Sequence, residues 1–374
     1  MFDSRVDPFH TGVWGGGAAA TWSGRAQVEQ RVNLGVGQAP WWLAMGVGEA
    51  EQAIIAPRWR TVRLTGLAAV HLWRVLTVEQ LAAITGEPSW AAPRSTHLGV
   101  LAAAGLIDVG RVAADGAQQF PTLIRPSRAT PVEPLLARLR ARDTAGIIPA
   151  RWLGSGSADR HSLLATELCL RVAEAGLAPL VVGESACPIT DMIPNIPASR
   201  RRPDGAWVRE DGLVVAVELT ATLTNVAGKL KYWASVLPHS PDMVVLYVVA
   251  ASQGRMAAQL RAEIGRAMRD LSAVQAGTPG RLLVVDWVDW FPAAHQVSGA
   301  FESLVVWRLG GPVWGQAPLG QVPGPSVDRG VLSRAGTLLG VPCWQRGRLG
   351  RVDVDRYLEG LLQVPGWPLN SGHG

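Results

Sequence analysis

The sequence predicts a chain of mixed α and β structure with two patterned blocks. Residues 58–130 read as three helices and a hairpin, and residues 158–290 run in the order α-β-β-β-α-β-α-β. At 374 residues, 48% of them hydrophobic and only 17% charged, the chain is long enough for two or three domains, each with its own core. Its 16 tryptophans argue for packed interiors as well.

Residues 1–57 are rich in glycine and alanine, with Trp14, Trp22, Trp41 and Trp42 scattered through them. They show no clear periodicity, so an irregular arm is expected there. In the first block, Leu64–Trp73 reads as a helix. A second starts at Thr77, spaced from Gln80 as in a capping box, with Leu76 placed to staple onto Leu81, and it stops at Gly86. A third runs from Pro93, suited to a first helical turn, to Ala104, and Gly105 ends it. Ile107–Val112 and Gln118–Leu123 flank Asp115-Gly116, a two-residue hairpin signal.

This is the layout of a winged helix-turn-helix. The stretch Leu76-Thr-Val-Glu-Gln-Leu-Ala-Ala-Ile-Thr-Gly86 resembles the first half of that motif in bacterial regulators. In that reading the third helix enters the major groove, with Arg94, Ser95 and His97 near its N-terminal end for base contacts. Arg111 on the wing, with Arg125 and Arg128 beyond it, is offered to phosphates. The alternative is a winged helix used for protein contacts, these side chains being merely solvated.

In the second block, His161–Ala175 carries Leu163, Leu164, Leu168 and Val172 at helical spacing, and Leu180–Val182 is a short strand. Ala206–Val208 and Leu213–Thr220 form a hairpin around Asp211-Gly212. Helix Val226–Val236, apolar strand Met243–Ala250, amphipathic helix Gln253–Leu271 and strand Leu282–Trp287 complete a mixed sheet flanked by helices. Residues 131–157 read as a linker, 291–326 as a Gly/Pro-rich linker, and 327–374 as a C-terminal helical appendage.

The net charge of +5 suits a polyanionic partner, and the excess is uneven, with 13 arginines against 7 acidic residues between Arg58 and Arg160. Three cysteines, Cys169, Cys187 and Cys343, without CxxC spacing, imply neither a disulfide framework nor a zinc site, so a reducing cytoplasm is expected. No basic region leads into an apolar run at the N-terminus, so no secretory signal is expected. The apolar strip Met243–Ala251 is far short of the roughly 20 residues that span a bilayer, so no membrane association is expected.

Of the 35 basic side chains only Lys229 and Lys231 are lysines. A chain that writes its other cations as arginine and keeps two lysines after an acidic pair points to chemistry, because lysine is a compact charge whose pKa can be tuned. The acidic pair is Asp204, at the mouth of one hairpin strand, and Glu218, near the end of the other. Two carboxylates held at one end of a sheet suit Mg²⁺ (or Mn²⁺), which prefers oxygen ligands and keeps several waters. Glu167, on the preceding helix, is the candidate third carboxylate. Arg200, Arg201 and Arg202 stand just before Asp204 and fit phosphate contacts. The plain alternatives are that Asp204 makes a turn with Gly205, that Glu218 lies on the surface of an edge strand, and that Glu167 is solvated.

The order Glu … Pro-Asp … Glu-x-Thr resembles the PD-(D/E)xK nuclease superfamily, in which a helix Glu, a strand Asp and an E-x-K strand converge. Here Thr220 stands where that pattern has lysine, so the resemblance implies that the next helix supplies it, from Lys229 or Lys231. Residues two apart on a helix point to different sides, so at most one serves. Arg-Pro-Asp-Gly, a strand ending in Glu, and Lys229-Leu-Lys-Tyr232 also resemble the actinobacterial replication-relaxation family, whose members look like a winged helix followed by a divergent nuclease-like domain. The resemblance covers about residues 58–250 and implies a restriction-endonuclease-like sheet, DNA as partner and work on plasmid or other mobile-element DNA. If the site is active, the protein is a Mg-dependent endodeoxyribonuclease. The rival is a non-catalytic replication or transcription regulator whose nuclease fold is a scaffold for DNA or for a second copy in a homodimer; Thr220 favours it.

Overall fold

The computed structural model describes residues 5, 7–11, 20–112, 122–139, 147, 149, 156–178, 180–187, 201–209, 211–221, 224–251, 254–272, 279–310 and 313–324. The chain folds as mixed α and β structure with two sheets. Over the described residues it divides into two compact units: a first within residues 16–166, and a second within residues 1–15 and 167–338.

The first unit contains β1 (Ala20–Ser23), α1 (Arg25–Asn33), α2 (Val47–Ile55), α3 (Arg60–Trp73), β2 (Leu76–Thr77), α4 (Val78–Thr85), α5 (Thr96–Ala103), β3 (Ile107–Val112), β4 (Leu123–Pro126) and α6 (Glu133–Leu136). Its sheet is antiparallel in the order β1-β3-β4-β2. α4 starts where its sequence says. The Thr77 hydroxyl accepts the Gln80 N–H at 3.0 Å, and the Gln80 side chain accepts the Thr77 N–H at 3.1 Å. It ends on Gly86, whose φ of 70° is the left-handed cap that glycine adopts without cost. α5 starts three residues later than Pro93. Its cap is Ser95, whose hydroxyl accepts the Leu98 N–H at 3.3 Å. A short 3₁₀ turn, Pro88–Ala91, precedes it and buries Trp90.

Gly66 on α3 is the place where Trp90 comes closest. A β-carbon there would lie 2.2 Å from the indole Cζ2. Gly66→Ala meets a rigid buried ring, so its cost sits at the upper end of the ~1–3 kcal/mol of overpacking. That outweighs the ~1 kcal/mol alanine gains over glycine within a helix. A net loss of about 2 kcal/mol is expected in urea denaturation, and a stabilised variant would refute the packing argument.

The expected irregular arm is in fact ordered over residues 20–55. β1 pairs with β3 from Ala20↔Val112 to Ser23↔Val109. The Trp22 indole donates to Asp159 at 2.9 Å, and the Arg125 guanidinium lies 4.2 Å over its ring. These elements carried no periodicity because β1 is four residues long and α1 buries no side chain. The expected linker at 131–157 likewise holds α6, with Val132 and Leu135 buried. The turn at Asp115-Gly116 lies outside the described residues.

α7 (Gly156–Glu174) gives its residues up to Thr166 to the first unit and those from Glu167 to the second. The second unit continues with β5 (Leu180–Gly183), β6 (Gly205–Val208), β7 (Val214–Thr220), α8 (Val226–Val236), β8 (Met243–Val249), α9 (Gly254–Ser272), β9 (Leu282–Asp286), α10 (Trp287–Trp290), α11 (Gly299–Glu302), β10 (Val305–Gly310) and β11 (Val313–Pro318). The sheet order is β11-β10-β9-β8-β7-β6-β5. β5, β6 and β7 form an antiparallel meander, β7, β8 and β9 run parallel, and β10 and β11 return antiparallel. β7 and β8 are buried along their whole length, as parallel strands covered on both faces must be. Gly212, with φ 85°, makes the turn between β6 and β7.

The expected Gly/Pro-rich linker at 291–326 is thus corrected: it contains α11 and the β10–β11 hairpin, paired through Gly310↔Val313. The C-terminal appendage at 327–374 lies outside the described residues. No described helix is long and apolar enough to cross a membrane.

Residues 5–11 belong to the second unit, where Phe9 packs on Trp287. Arg5 clamps Glu174 through two bonds of 2.8 and 2.7 Å and reaches Glu167 at 3.3 Å. Arg171 bonds Glu167 at 3.0 Å and meets Asp7 at 3.5 Å. The Trp287 indole donates to Asp7 at 3.1 Å. Every side chain in this set of ions is at most 8% exposed.

Candidate functional site

The antiparallel register places Gly205 opposite Val217, so Asp204 comes opposite Glu218 one step beyond. Asp204 extends the ladder. Its N–H donates to the Val217 carbonyl at 2.8 Å, and its Oδ2 accepts the Leu219 N–H at 2.7 Å. It is therefore a ladder residue rather than a turn residue. Glu218 stands on an inner strand and is 5% exposed, which removes the edge-strand alternative.

α8 brings the lysine. Its cap, Asn225, adopts φ 59°, a conformation that asparagine tolerates better than most residues. Gly228 leaves room for that asparagine's side chain, since a β-carbon there would lie 2.2 Å from its Oδ1. Lys229 then sits in the first turn with Nζ 2.5 Å from Glu218 Oε2, and Trp233, one turn on, donates its indole N–H to Glu218 Oε1 at 2.9 Å. Lys231 points elsewhere and is exposed. Of the two lysines only Lys229 reaches Glu218, in keeping with a helical phase that turns residues two apart to different sides.

Burial raises the Glu218 carboxyl above its ordinary range; Lys229 opposes that rise and Asp204 adds to it. For Lys229, burial alone would lower the amine, but the charges of Glu218 and then Asp204 outweigh it and the net direction is up. Lys229 is thus held as an ammonium between two carboxylates. Arg201 joins the same neighbourhood: its charge acts on Lys229, and its guanidinium lies 4.7 Å over the Tyr232 ring.

Glu167 is not part of this site. Its oxygens accept from Arg5 and Arg171, so it is neutralised inside the buried ion network. Among the described residues no group of three or more His, Cys, Asp or Glu is placed to hold a metal. What remains for Mg²⁺ is a two-carboxylate donor set, Asp204 and Glu218, of the hard oxygens the ion prefers. Thr220 Oγ1, two residues along the same face of β7, is buried without a hydrogen-bond partner among the described residues, as is the Tyr247 hydroxyl on the neighbouring strand.

Trp233 and Tyr247 were missed from sequence. Trp233 lies four residues after Lys229, on the same helix face. Tyr247 is the one polar-tipped side chain in the run Met243–Val249 and pairs in register with Glu218.

The expected DNA-facing residues divide sharply. Ser95 is buried and spends its hydroxyl on the α5 cap. His97 is 4% exposed, wedged between Trp59 and Trp90 at ring distances of 5.1 and 5.4 Å, and burial, then the charge of Arg63, lower its pKa. Arg125 is paired with Asp108 at 3.1 Å and stacked on Trp22. These three are structural. On α5 only Thr96 and Leu98 keep appreciable exposure, and Trp41 lies against the helix backbone at Gly99. Arg94 and Arg111 are different. Both are exposed, and neither side chain makes an ion pair or hydrogen bond among the described residues. Arg201 and Arg202 are exposed, and Arg200 lies outside the described residues.

No family model matches the chain, and no curated protein or solved structure matches it either.

Proposed function

We propose that the second unit is a nuclease-like module with its phosphodiester site at Asp204, Glu218 and Lys229, and that the first unit is a winged helix that binds the DNA it works on. The observation that carries this is the convergence of two carboxylates and one ammonium at one end of β6 and β7. The element order supports it: a helix, a three-stranded antiparallel meander, a crossover helix and a parallel strand. So does the exposed pair Arg94 and Arg111 on the first unit, available for phosphates. The resemblance to the replication-relaxation family gives the setting, plasmid or mobile-element DNA. The two buried free cysteines, Cys169 and Cys187, suit a reducing cytoplasm.

Asp204 and Glu218 would hold Mg²⁺ or Mn²⁺, which when bound polarises a phosphate and lowers the pKa of its water. The chain's own part is positional. The Leu219 N–H and the Trp233 indole orient the two carboxylates, and Lys229 presents a fixed positive charge where charge builds on the phosphorane oxygens.

A second reading has its own support. Both Glu218 oxygens already accept donors, Glu167 is committed elsewhere, and Thr220 carries no charge. These observations favour a DNA-binding regulator whose nuclease-like unit is a scaffold. Incubation of supercoiled plasmid with the protein and Mg²⁺ or Mn²⁺ decides between the two. On the first reading nicking appears and falls about 100-fold or more in Asp204→Ala. Salt-sensitive binding without nicking establishes the second reading and overturns the first.

A further inference from the structure

The first unit contains a cavity of about 570 Å³ between the 3₁₀ turn Trp41–Ala44, the start of α4, the loop before α5, and β3. That size falls in the ~300–1,000 Å³ range of small-ligand pockets. Its lining combines three chemistries. Trp41 and Trp42 supply aromatic faces, and Trp41 is seated on the α5 backbone, since a β-carbon at Gly99 would lie 2.3 Å from its ring. Arg94 and Arg111 supply two exposed cations that no acidic side chain among the described residues neutralises. Glu79 supplies a carboxyl group that burial raises and that takes hydrogen bonds from its own backbone and the Thr77 side chain, while its buried Oε2 has no partner among the described residues.

We infer that this cavity is a binding pocket for one unpaired nucleobase and its adjoining phosphate, with guanine preferred. This rests on reading the first unit as a DNA-binding module, and it names what that module reads. The base stacks on a tryptophan face, as in single-strand-binding proteins, and the phosphate goes to the two guanidinium forks. The carboxylate of Glu79 selects the base edge. Guanine offers two adjacent donors, N1–H and the exocyclic amine, whereas adenine and cytosine set a ring acceptor beside their amine and would oppose a carboxylate. The same geometry explains why α5 is a poor reader of the major groove: its outer face is occupied by Trp41, and its polar N-terminal side chains are spent internally. Another cavity of about 340 Å³, beside α9, also holds arginines and tryptophans, but there Arg261 and Arg266 are already paired with Asp286 and Glu263.

The test is fluorescence anisotropy of the full chain with 5′-phosphorylated single-stranded oligothymidylates, plain or carrying one central guanine, adenine or cytosine, and with a matched duplex. The guanine strand is expected to bind best. Trp41→Ala and the double variant Arg94→Ala/Arg111→Ala should each weaken single-strand binding by about tenfold or more. Trp41→Phe keeps a stacking face and should restore most of the affinity, which separates stacking from a folding defect. Glu79→Gln should abolish the guanine preference while plain oligothymidylate binds as before. Duplex binding that all variants leave unchanged, with single strands bound no better, overturns the pocket and leaves the DNA-binding reading standing. An absence of binding to any strand overturns both.

Discussion

Arg171→Met is expected to lower the stability of the second unit by about 3–5 kcal/mol, the cost of removing one partner from a buried ion network. Arg171 is 5% exposed on its side chain and touches three groups: Glu167 at 3.0 Å, Asp7 at 3.5 Å, and the Phe291 ring at 4.4 Å. Asp7 is the most exposed to the loss. Burial already raises its carboxyl, and Arg171 is the first influence opposing that rise. Methionine would fill the volume of the arginine stem, so the loss measures the missing charge and fork rather than a cavity. Arg171→Lys keeps the charge but gives up the planar stack on Phe291 and one arm of the fork, so it should fall between the two. Urea denaturation followed by tryptophan fluorescence reads the effect, and a loss below about 1 kcal/mol would show that the network carries little net stability. Because the network joins Arg5 and Asp7 to α7, the N-terminal segment should become protease-sensitive in the same variant.

How much of this was legible from sequence depended on what each residue's partner was. β5 to β9 were placed to within a residue or two, because runs such as Met243–Val249 are too apolar and too short for anything but inner strands. The caps of α4 were legible because Thr77, Gln80 and Gly86 act within one turn of chain. The arm was not, because α1 shows the core no apolar face and β1 owes its place to β3, nearly ninety positions away. Glu167 shows the same limit at the site. Its residue type and helix suit a metal ligand, but its partner Arg5 is 162 positions distant, and nothing local announces it. Ser95 and His97 read as DNA contacts from their position near a helix start, but that position is also where a cap and a wedge against Trp90 are needed. That Lys229 and Lys231 cannot both face Glu218, by contrast, needed only the helical repeat, whereas which of them does so depends on the strand that α8 packs against.

Lys229→Met should leave the second unit with a stability that falls more steeply with rising pH than that of the parent chain. In the variant the buried Glu218 loses the charge that most opposes the rise of its carboxyl, so that group moves further above its ordinary range. Below the ordinary carboxylate range Glu218 is protonated in the folded and unfolded chains alike, and the lysine's absence costs little. As pH rises, the unfolded chain releases the proton while the folded chain retains it. The folded state then binds more protons than the unfolded one, and stability declines with rising pH. The deficit relative to the parent should therefore be small near pH 5 and reach roughly 2–3 kcal/mol near pH 8. That is less than the ~3–5 kcal/mol of a fully buried pair, because the Lys229 side chain is 32% exposed and partly screened. Adding Glu218→Gln removes the titrating group, so the double variant should recover at high pH and lose the slope. Parallel stability curves for parent and single variant from pH 5 to pH 8 would mean that Lys229 does not compensate Glu218. The slope also sets the conditions for the nicking assay. A Lys229 variant that fails to nick at pH 8 confounds lost chemistry with lost folding, whereas failure near pH 6, where the unit should be close to parental stability, assigns the loss to the ammonium at the site.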